Sequence, residues 1–495
     1  MRLGETLKRI IYGKGVTPLP LGITVTAFLF VLFSAMAITN VFSYLPKLVK
    51  EFNVSEVNTA KSVGAISSAM FGGRIASSIV WGYICDKVGK RVSLILATTF
   101  LAVSTLFFGF SFNVTWTIIA RSLQGLAMGL IVITKAIISD VADNSNLAAG
   151  LSFIFSASNI GYIVGPSMSG YLVFPVEKYP KVFRKGSFFD LFKVLIPNFI
   201  IAVGLTVSLV VALFLLPKNK RNTLDVQEIP IDNVCQPCIE NTDIVNGTKV
   251  FEKDVLLKKN RHLITSYYQK FKASKVGVLM SNKDFLISAM VYFVYSIYTV
   301  GFEELFPVFA ATSIAYNGLG MSPSNIGLFY MVSGFAAIMT QFLITNKLIN
   351  KYGAKKIFCY SIFIFALFAV YYPTNGLIKN RTFMWISLWI TQCFTRSMFS
   401  TGVLCVNMFL NNSVDSHQRG LANGIGLSLA SVGRSIGAAS FGSAYSWSLN
   451  NVKLNKDRGF PLNEYFAFML ISVFAMFFLV FITRLPIRLN KKKCK

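Results

Sequence analysis

Apolar stretches of twenty residues or so recur along the whole chain, and no other feature limits its fold so severely. A membrane-spanning helix needs ~20 consecutive, mostly apolar residues. Twelve such spans fall near 21–46, 60–84, 92–112, 114–139, 147–172, 194–216, 284–311, 324–346, 357–373, 382–410, 420–447 and 464–484. Inside a bilayer every backbone N–H and C=O must be satisfied by the protein, so each span is predicted as an α-helix rather than a barrel strand. Only 14% of the 495 residues are charged and 54% are hydrophobic. A soluble domain carries about 25% charged residues. Soluble and disordered classes are thereby excluded. The first span is too long for a signal-peptide core and lacks a small-residue cleavage site, so it is expected to stay. The expected class is an all-α membrane protein.

A net charge of +27 would suit a nucleic-acid binder, but its placement does not. The basic residues sit in loops and tails, and the aromatics sit in the apolar runs, so no nucleic-acid partner is expected. The polar stretch 218–283 divides the spans six and six. The expected domains are an N-terminal six-helix bundle (1–217), a cytoplasmic linker (218–283) and a C-terminal six-helix bundle (284–495). With the linker set aside, 18 Lys/Arg lie on the side of the termini against 12 on the other. Both termini are therefore expected in the cytoplasm. Lys249 to Lys275 mixes basic with apolar residues, and reads either as a helix on an anionic leaflet or as a solvated linker. Cys235 and Cys238 form an isolated CxxC, and only His262 and His417 are available as histidines. No metal site, cofactor or disulfide framework is expected.

The halves repeat one another. Gly82-x-x-x-Asp86-Lys87-x-Gly89-x-Arg91 recurs as Asn346-x-x-x-Asn350-Lys351-x-Gly353-x-Lys355, Arg121-Ser122 as Arg396-Ser397, and Gly161-x-x-x-Gly165 with Gly170 as Gly433-x-x-x-Gly437 with Gly442. Three pairs at nearly one offset argue for duplication, and repeated halves with a site between them are a transporter architecture.

Asp86 lies at the negative end of a helix dipole and needs a cation nearby. Lys87, Lys90 and Arg91 are local candidates, and the motif reads as a charge latch. Arg121, Gln124, Gly125 and Met128 share a helix face. A guanidinium inside the membrane is costly unless it faces a cavity or a partner, so Arg121 is expected to face inward. Gly161, Gly165, Ser169 and Gly170 let a neighbouring helix approach closely, and Pro166 bends their span. Glu303 and Glu304 are adjacent carboxylates within a span, which is rare. Pro307 cannot donate to the carbonyl of Glu303, so the helix is predicted to break or kink there. A carboxylate drawn out of water holds its proton more tightly and can carry one; Glu304 is the favoured carrier. Arg74, Arg121, Lys135, Arg396 and Arg434 are five cations in the spans against these two carboxylates. They either make a positive, anion-attracting cavity or serve as ion-pair partners.

These motifs resemble those of the major facilitator superfamily. The Gly161-x-x-x-Gly165-Pro166-x-x-x-Gly170 stretch is similar to its proton-antiporter motif. More narrowly, Trp81 to Arg91, Pro175-x-Glu177-Lys178-Tyr179-Pro180, Glu304-Leu305-Phe306, Gly318 to Ser322, and Asn411-Asn412 with Gln418-Arg419-Gly420 resemble the zinc-induced facilitator-like family. The chain lacks that family's N-terminal Cys-Pro-Gly-Cys and its histidine-bearing central loop, and Ser169 replaces the first glycine of the antiporter pair. The resemblance implies two six-helix bundles and alternating access, with a small organic solute exchanged for protons. Arg121 would help couple protons, Glu304 would carry one, and Lys135 and Arg396, with Arg74 and Glu303, would line the pathway. It also implies a monomer in a lipid bilayer, at the plasma membrane or a vacuolar or endolysosomal membrane. The alternatives are an uncoupled facilitator of organic anions and a receptor or scaffold that no longer transports. Nothing in the residues suggests an enzyme.

Overall fold

The computed structural model describes residues 19–141, 146–215, 275–415, 418–453 and 459–484. Among them all regular structure is helical. The N-terminal half comprises α1 (Leu21–Thr39), α2 (Leu45–Glu51), α3 (Glu56–Val88), α4 (Lys90–Gly109), α5 (Val114–Leu126), α6 (Leu130–Val141), α7 (Leu147–Leu172), the single turns α8 (Pro175–Lys178) and α9 (Phe188–Leu191), and α10 (Leu195–Leu215). After α11 (Lys275–Met280) the C-terminal half comprises α12 (Lys283–Ala311), α13 (Pro323–Thr340), α14 (Asn346–Tyr352), α15 (Ala354–Tyr371), α16 (Arg381–Asn412), α17 (Arg419–Lys453) and α18 (Phe466–Thr483). The described residues up to 215 and from 284 on form one compact unit, to which α11 does not belong. The CxxC, both histidines and Lys249 to 274 lie outside the described residues.

Among the described residues eight helical segments are long and apolar enough to cross a membrane. The helices α3, α7 and α17 carry many Gly, Ser and Ala residues. The reason is packing: a Cβ on Gly64 of α3 would lie 2.4 Å from the Ala438 carbonyl of α17, and one on Gly170 of α7 would lie 2.5 Å from the Pro323 carbonyl of α13. Small residues thus let α3 pack closely on α17 and α7 on α13.

Three expected spans are interrupted. The first helix stops at Thr39 and passes into a 3₁₀ turn, Asn40–Ser43. The fourth splits into α5 and α6. There the Trp81 indole donates to the Leu126 carbonyl at 2.7 Å, and its ring fills the place of a side chain at Gly129. The eighth passes through a π-helical turn, Gln341–Thr345, between α13 and α14. At Pro307 the expectation of a break is corrected: α12 runs unbroken for 29 residues. The Tyr330 hydroxyl of α13 donates to the Glu303 carbonyl at 3.1 Å. It takes the place of the N–H that proline lacks.

The duplication is visible in contacts. Gly89 and Gly353 both have φ of 85°, a left-handed conformation that favours glycine. Two residues on, Arg91 donates to the Leu213 carbonyl at the end of α10, and Lys355 to the Thr483 carbonyl at the end of α18. Gly161 and Gly165 pack on α1, and Gly433 and Gly437 on α12, while Gly170 and Gly442 each meet the opposite half.

Candidate functional site

Arg121 is 1% exposed. Its guanidinium donates to the Ala37 and Ile38 carbonyls (3.4 and 3.1 Å) and to Gln124 Oε1 (2.9 Å). Ala37 and Ile38 belong to the last turn of α1, whose carbonyls have no helical donor and carry the negative end of the dipole. The interruption of α1 thus makes a cation socket. One turn on, Gly125 lets α5 pack closely on α3, since a Cβ there would lie 2.0 Å from the Met70 carbonyl. Arg121 faces inward, as expected, and meets protein partners rather than solvent.

Glu304 is 5% exposed, and its Oε2 accepts from Ser67 Oγ at 2.7 Å. Ser67 is on α3 and Glu304 on α12, so the bond joins the two halves. Arg121 lies near enough for the two charges to interact. Glu303 forms an ion pair with Arg396 of α16, the side chains being 15% and 11% exposed. The Arg396 guanidinium also lies over the Tyr330 and Phe399 rings at 5.4 and 5.7 Å, favourable cation–π positions. Both partners line a small pocket with Thr299, Gln392, Thr395 and Tyr330. The adjacent carboxylates therefore have different partners: Glu303 serves a cation of its own half and Glu304 a hydroxyl of the other.

Arg74 is on α3 and Arg434 on α17, and Arg434 reaches α3 one turn before Arg74, at Phe71. Their charges interact, and Tyr162 and Tyr292 neighbour Arg74. Arg434 reaches the Tyr292 hydroxyl at 3.4 Å and lies 6.0 Å over the Phe71 ring. The side chains of Lys135, Gly82 and Asp86 lie outside the described ones. Within the Asp86 motif, Lys87 stacks over Tyr83 at 4.6 Å and Arg91 caps α10. In the antiporter motif, Gly161 and Gly165 sit against Ala35, Met36 and Thr39 of α1, so a Cβ at either would meet an atom at 2.6 Å. Pro166 lies inside α7, next to Gly327 of α13.

One end of the bundle is tied shut. Lys50 pairs with Glu56 at 2.7 Å and donates to the Ala311 carbonyl at 2.7 Å, while Glu56 Oε1 accepts from the Ser313 N–H at 2.8 Å. Ser68 and Ser435 exchange hydroxyl-to-carbonyl bonds of 2.8 and 3.1 Å, and Ser324 donates to the Gly170 carbonyl at 3.0 Å. Lys61 N–H donates to Ser446 Oγ at 2.8 Å, so these contacts run from the start of α3 and the end of α17 to the Ser68–Ser435 pair midway along both helices, and take in the ends of α7 and α12 and the start of α13. Further along α3, Gly72 has open space where a Cβ would stand. Lys178 of the Glu-Lys-Tyr-Pro stretch donates to the Gly170 and Tyr171 carbonyls at the end of α7, and Glu177 pairs with Lys47 of α2. Sequence reading missed Ser67, Tyr330, Lys50 and Glu56. Lone serines, tyrosines and loop-edge charges carry no pattern until the fold brings them together.

The family model for the Major Facilitator Superfamily matches residues 27–438. The chain belongs to this superfamily. It is 26% identical over 427 residues to the Arabidopsis thaliana protein Zinc Induced Facilitator-Like 1, covering 86% of this chain and 84% of that one. It is 25% identical over 417 residues to a probable peptide/nitrate transporter of the same plant, covering 84% and 81%. Among solved structures, a D-xylose-proton symporter superposes with a TM-score of 0.67 at 14% identity, over 96% of this chain and 100% of that one. The zinc-induced facilitator-like resemblance is borne out over most of the chain. The protein is an integral membrane transporter of small solutes with the superfamily's all-α fold.

Proposed function

We propose that this transporter exchanges a small organic solute for protons by alternating access, with Glu304 as the proton carrier. The observation that carries the reading is the Ser67–Glu304 hydrogen bond between the halves. An ionised carboxylate accepts a stronger bond than a neutral one. Proton uptake at Glu304 therefore loosens a contact that holds one end closed. Arg121, held by the Ala37 and Ile38 carbonyls and Gln124, supplies a fixed positive charge on the N-terminal side of the pathway. Arg396 and Glu303 neutralise each other within the C-terminal half, which spares the pathway two uncompensated charges. Arg74 and Lys135 complete the pathway, and the Asp86 and Gly161–Gly170 motifs govern opening at the two ends.

We read the tied end, with α2 and α8, as the outer face and both termini as cytoplasmic, following the Lys/Arg excess. The protein works as a monomer at the plasma membrane or a vacuolar or endolysosomal membrane.

The test is solute flux in proteoliposomes under an imposed pH gradient, with a panel of organic anions, zwitterions and drug-like compounds and a pH dye trapped inside. Gradient-driven flux with opposite proton movement, lost in Glu304→Gln, supports the reading. Downhill flux with no proton movement would make the protein a uniporter.

A further inference from the structure

The five cations in the spans are not equivalent. Arg121 is bound to two carbonyls and Gln124, and Arg396 is paired with Glu303. Arg74 and Arg434 have no carboxylate within ion-pair distance among the described residues. The Nε of Arg434 is buried with no hydrogen-bond partner, and its bond to Tyr292 is long at 3.4 Å. The two guanidiniums come from opposite halves, and Arg434 lies 6.0 Å over the ring of Phe71, one helical turn from Arg74 on α3, so two like charges share one region. They also lie at a defined height: Arg434 adjoins Ser435, whose mutual bonds with Ser68 are the inward limit of the serine contacts at the tied end. Arg74 is six residues further along α3, past Gly72 and its open space.

We infer that Arg74 and Arg434 together form an oxyanion site that takes a carboxylate or phosphate group of the transported solute. Guanidinium forks present paired N–H donors in the geometry such groups accept. One oxyanion between two forks turns a repulsion across the halves into two attractions. The Tyr292 hydroxyl, already in reach of Arg434, supplies a further donor. Binding then draws α3 and α17 together beyond the tied end, so the solute itself helps close the pathway behind it. The inference rests on the transport reading above and adds the chemistry of the solute to it.

The test is the melting temperature of the purified full-length protein in detergent at constant ionic strength, with benzoate, phenyl phosphate, inorganic phosphate or benzylammonium. A ligand that binds the folded state raises it by mass action. Benzoate or phenyl phosphate should raise it by several degrees and benzylammonium should not. Arg74→Gln and Arg434→Gln should each abolish the rise, while Arg184→Gln, in a loop, keeps it. If a glutamine variant does not fold, the lysine variant at that position should keep a reduced rise, because lysine lacks the fork. A rise with inorganic phosphate as large as with phenyl phosphate assigns the site to the free ion; a larger rise with the organic probes assigns it to an organic solute. No oxyanion-selective rise, or an undiminished one in the variants, overturns the inference. The assay involves no pH gradient. A wild type that moves solute without protons, with the rise intact, would remove Glu304's role and leave this site standing.

Discussion

Ser67 Oγ on α3 and Glu304 Oε2 on α12 lie 2.7 Å apart, a hydrogen bond between the two halves at a buried carboxylate. A hydrogen bond to a charged group contributes about 1.5–3 kcal/mol. Ser67→Ala should therefore shift the balance between closed and open states by about tenfold or more, since 1.4 kcal/mol is a factor of ten. Glu304→Gln should abolish gradient-driven uptake and leave downhill exchange. The two variants are compared by proteoliposome flux with and without a pH gradient.

The Glu303–Arg396 pair predicts a different phenotype. Removing one member of a buried ion pair costs about 3–5 kcal/mol, because the other is left uncompensated. Glu303→Gln and Arg396→Gln should each lower the melting temperature markedly. The double variant should recover much of the loss. Additive losses in this double-mutant cycle would show that the pair is not coupled.

At the tied end, Lys50 and Glu56 grip the backbone where α12 finishes, at the Ala311 carbonyl and the Ser313 N–H. Lys50→Met and Glu56→Gln should each favour opening of that end. A cysteine at Ser443 beside the α3–α17 seam should then react several times faster with a membrane-impermeant thiol reagent. An unchanged labelling rate would show that the grip does not hold the end closed.

Two glycine substitutions should separate stability from conformation. A Cβ on Gly125 meets the Met70 carbonyl within the N-terminal half, and one on Gly64 meets Ala438 across the halves. Overpacking costs about 1–3 kcal/mol. Gly125→Ala should destabilise the folded protein by that amount. Gly64→Ala should mainly penalise the closed end, so its melting temperature falls less while the Ser443 cysteine becomes more reactive.

Lys178 supplies a pH dependence outside the membrane spans. Burial, and then the nearby Lys47 ammonium, lower its pKa to about 8, with Glu177 acting in the opposite sense. The unfolded chain then binds more protons than the folded one between pH 8 and the usual lysine value of about 10.4. Stability contributed through this group must rise with pH across that window. The melting temperature of the wild type, relative to Lys178→Met, should increase from pH 7.5 to pH 10. A constant difference would contradict the assignment.

Much of the architecture was legible because bilayer physics leaves few options for apolar runs of this length. Most helix boundaries fall within a few residues of the expected spans. The errors share one cause: apolar length says nothing about tertiary partners. The break after Thr39 exists because Arg121 takes the freed carbonyls, and the break before Leu130 because Trp81 caps α5 and covers Gly129. Pro307 errs the other way, since the Tyr330 hydroxyl fills the missing donor and the helix continues. In the site, the unusual charges drew notice as charges, but their pairing did not. Glu303 with Arg396 spans 93 residues and Glu304 with Ser67 spans 237. No local pattern encodes contacts of that range.

The most direct measurement is the distance across the tied end, between spin labels on cysteines replacing Asn58 of α3 and Asn450 of α17, with native cysteines removed. Both positions are exposed beside the seam between the halves. The account predicts a short distance at high pH, growth of a longer one on acidification, and the longer one at every pH in Glu304→Gln. A distance that ignores pH in the wild type and is unaltered in Glu304→Gln would contradict it.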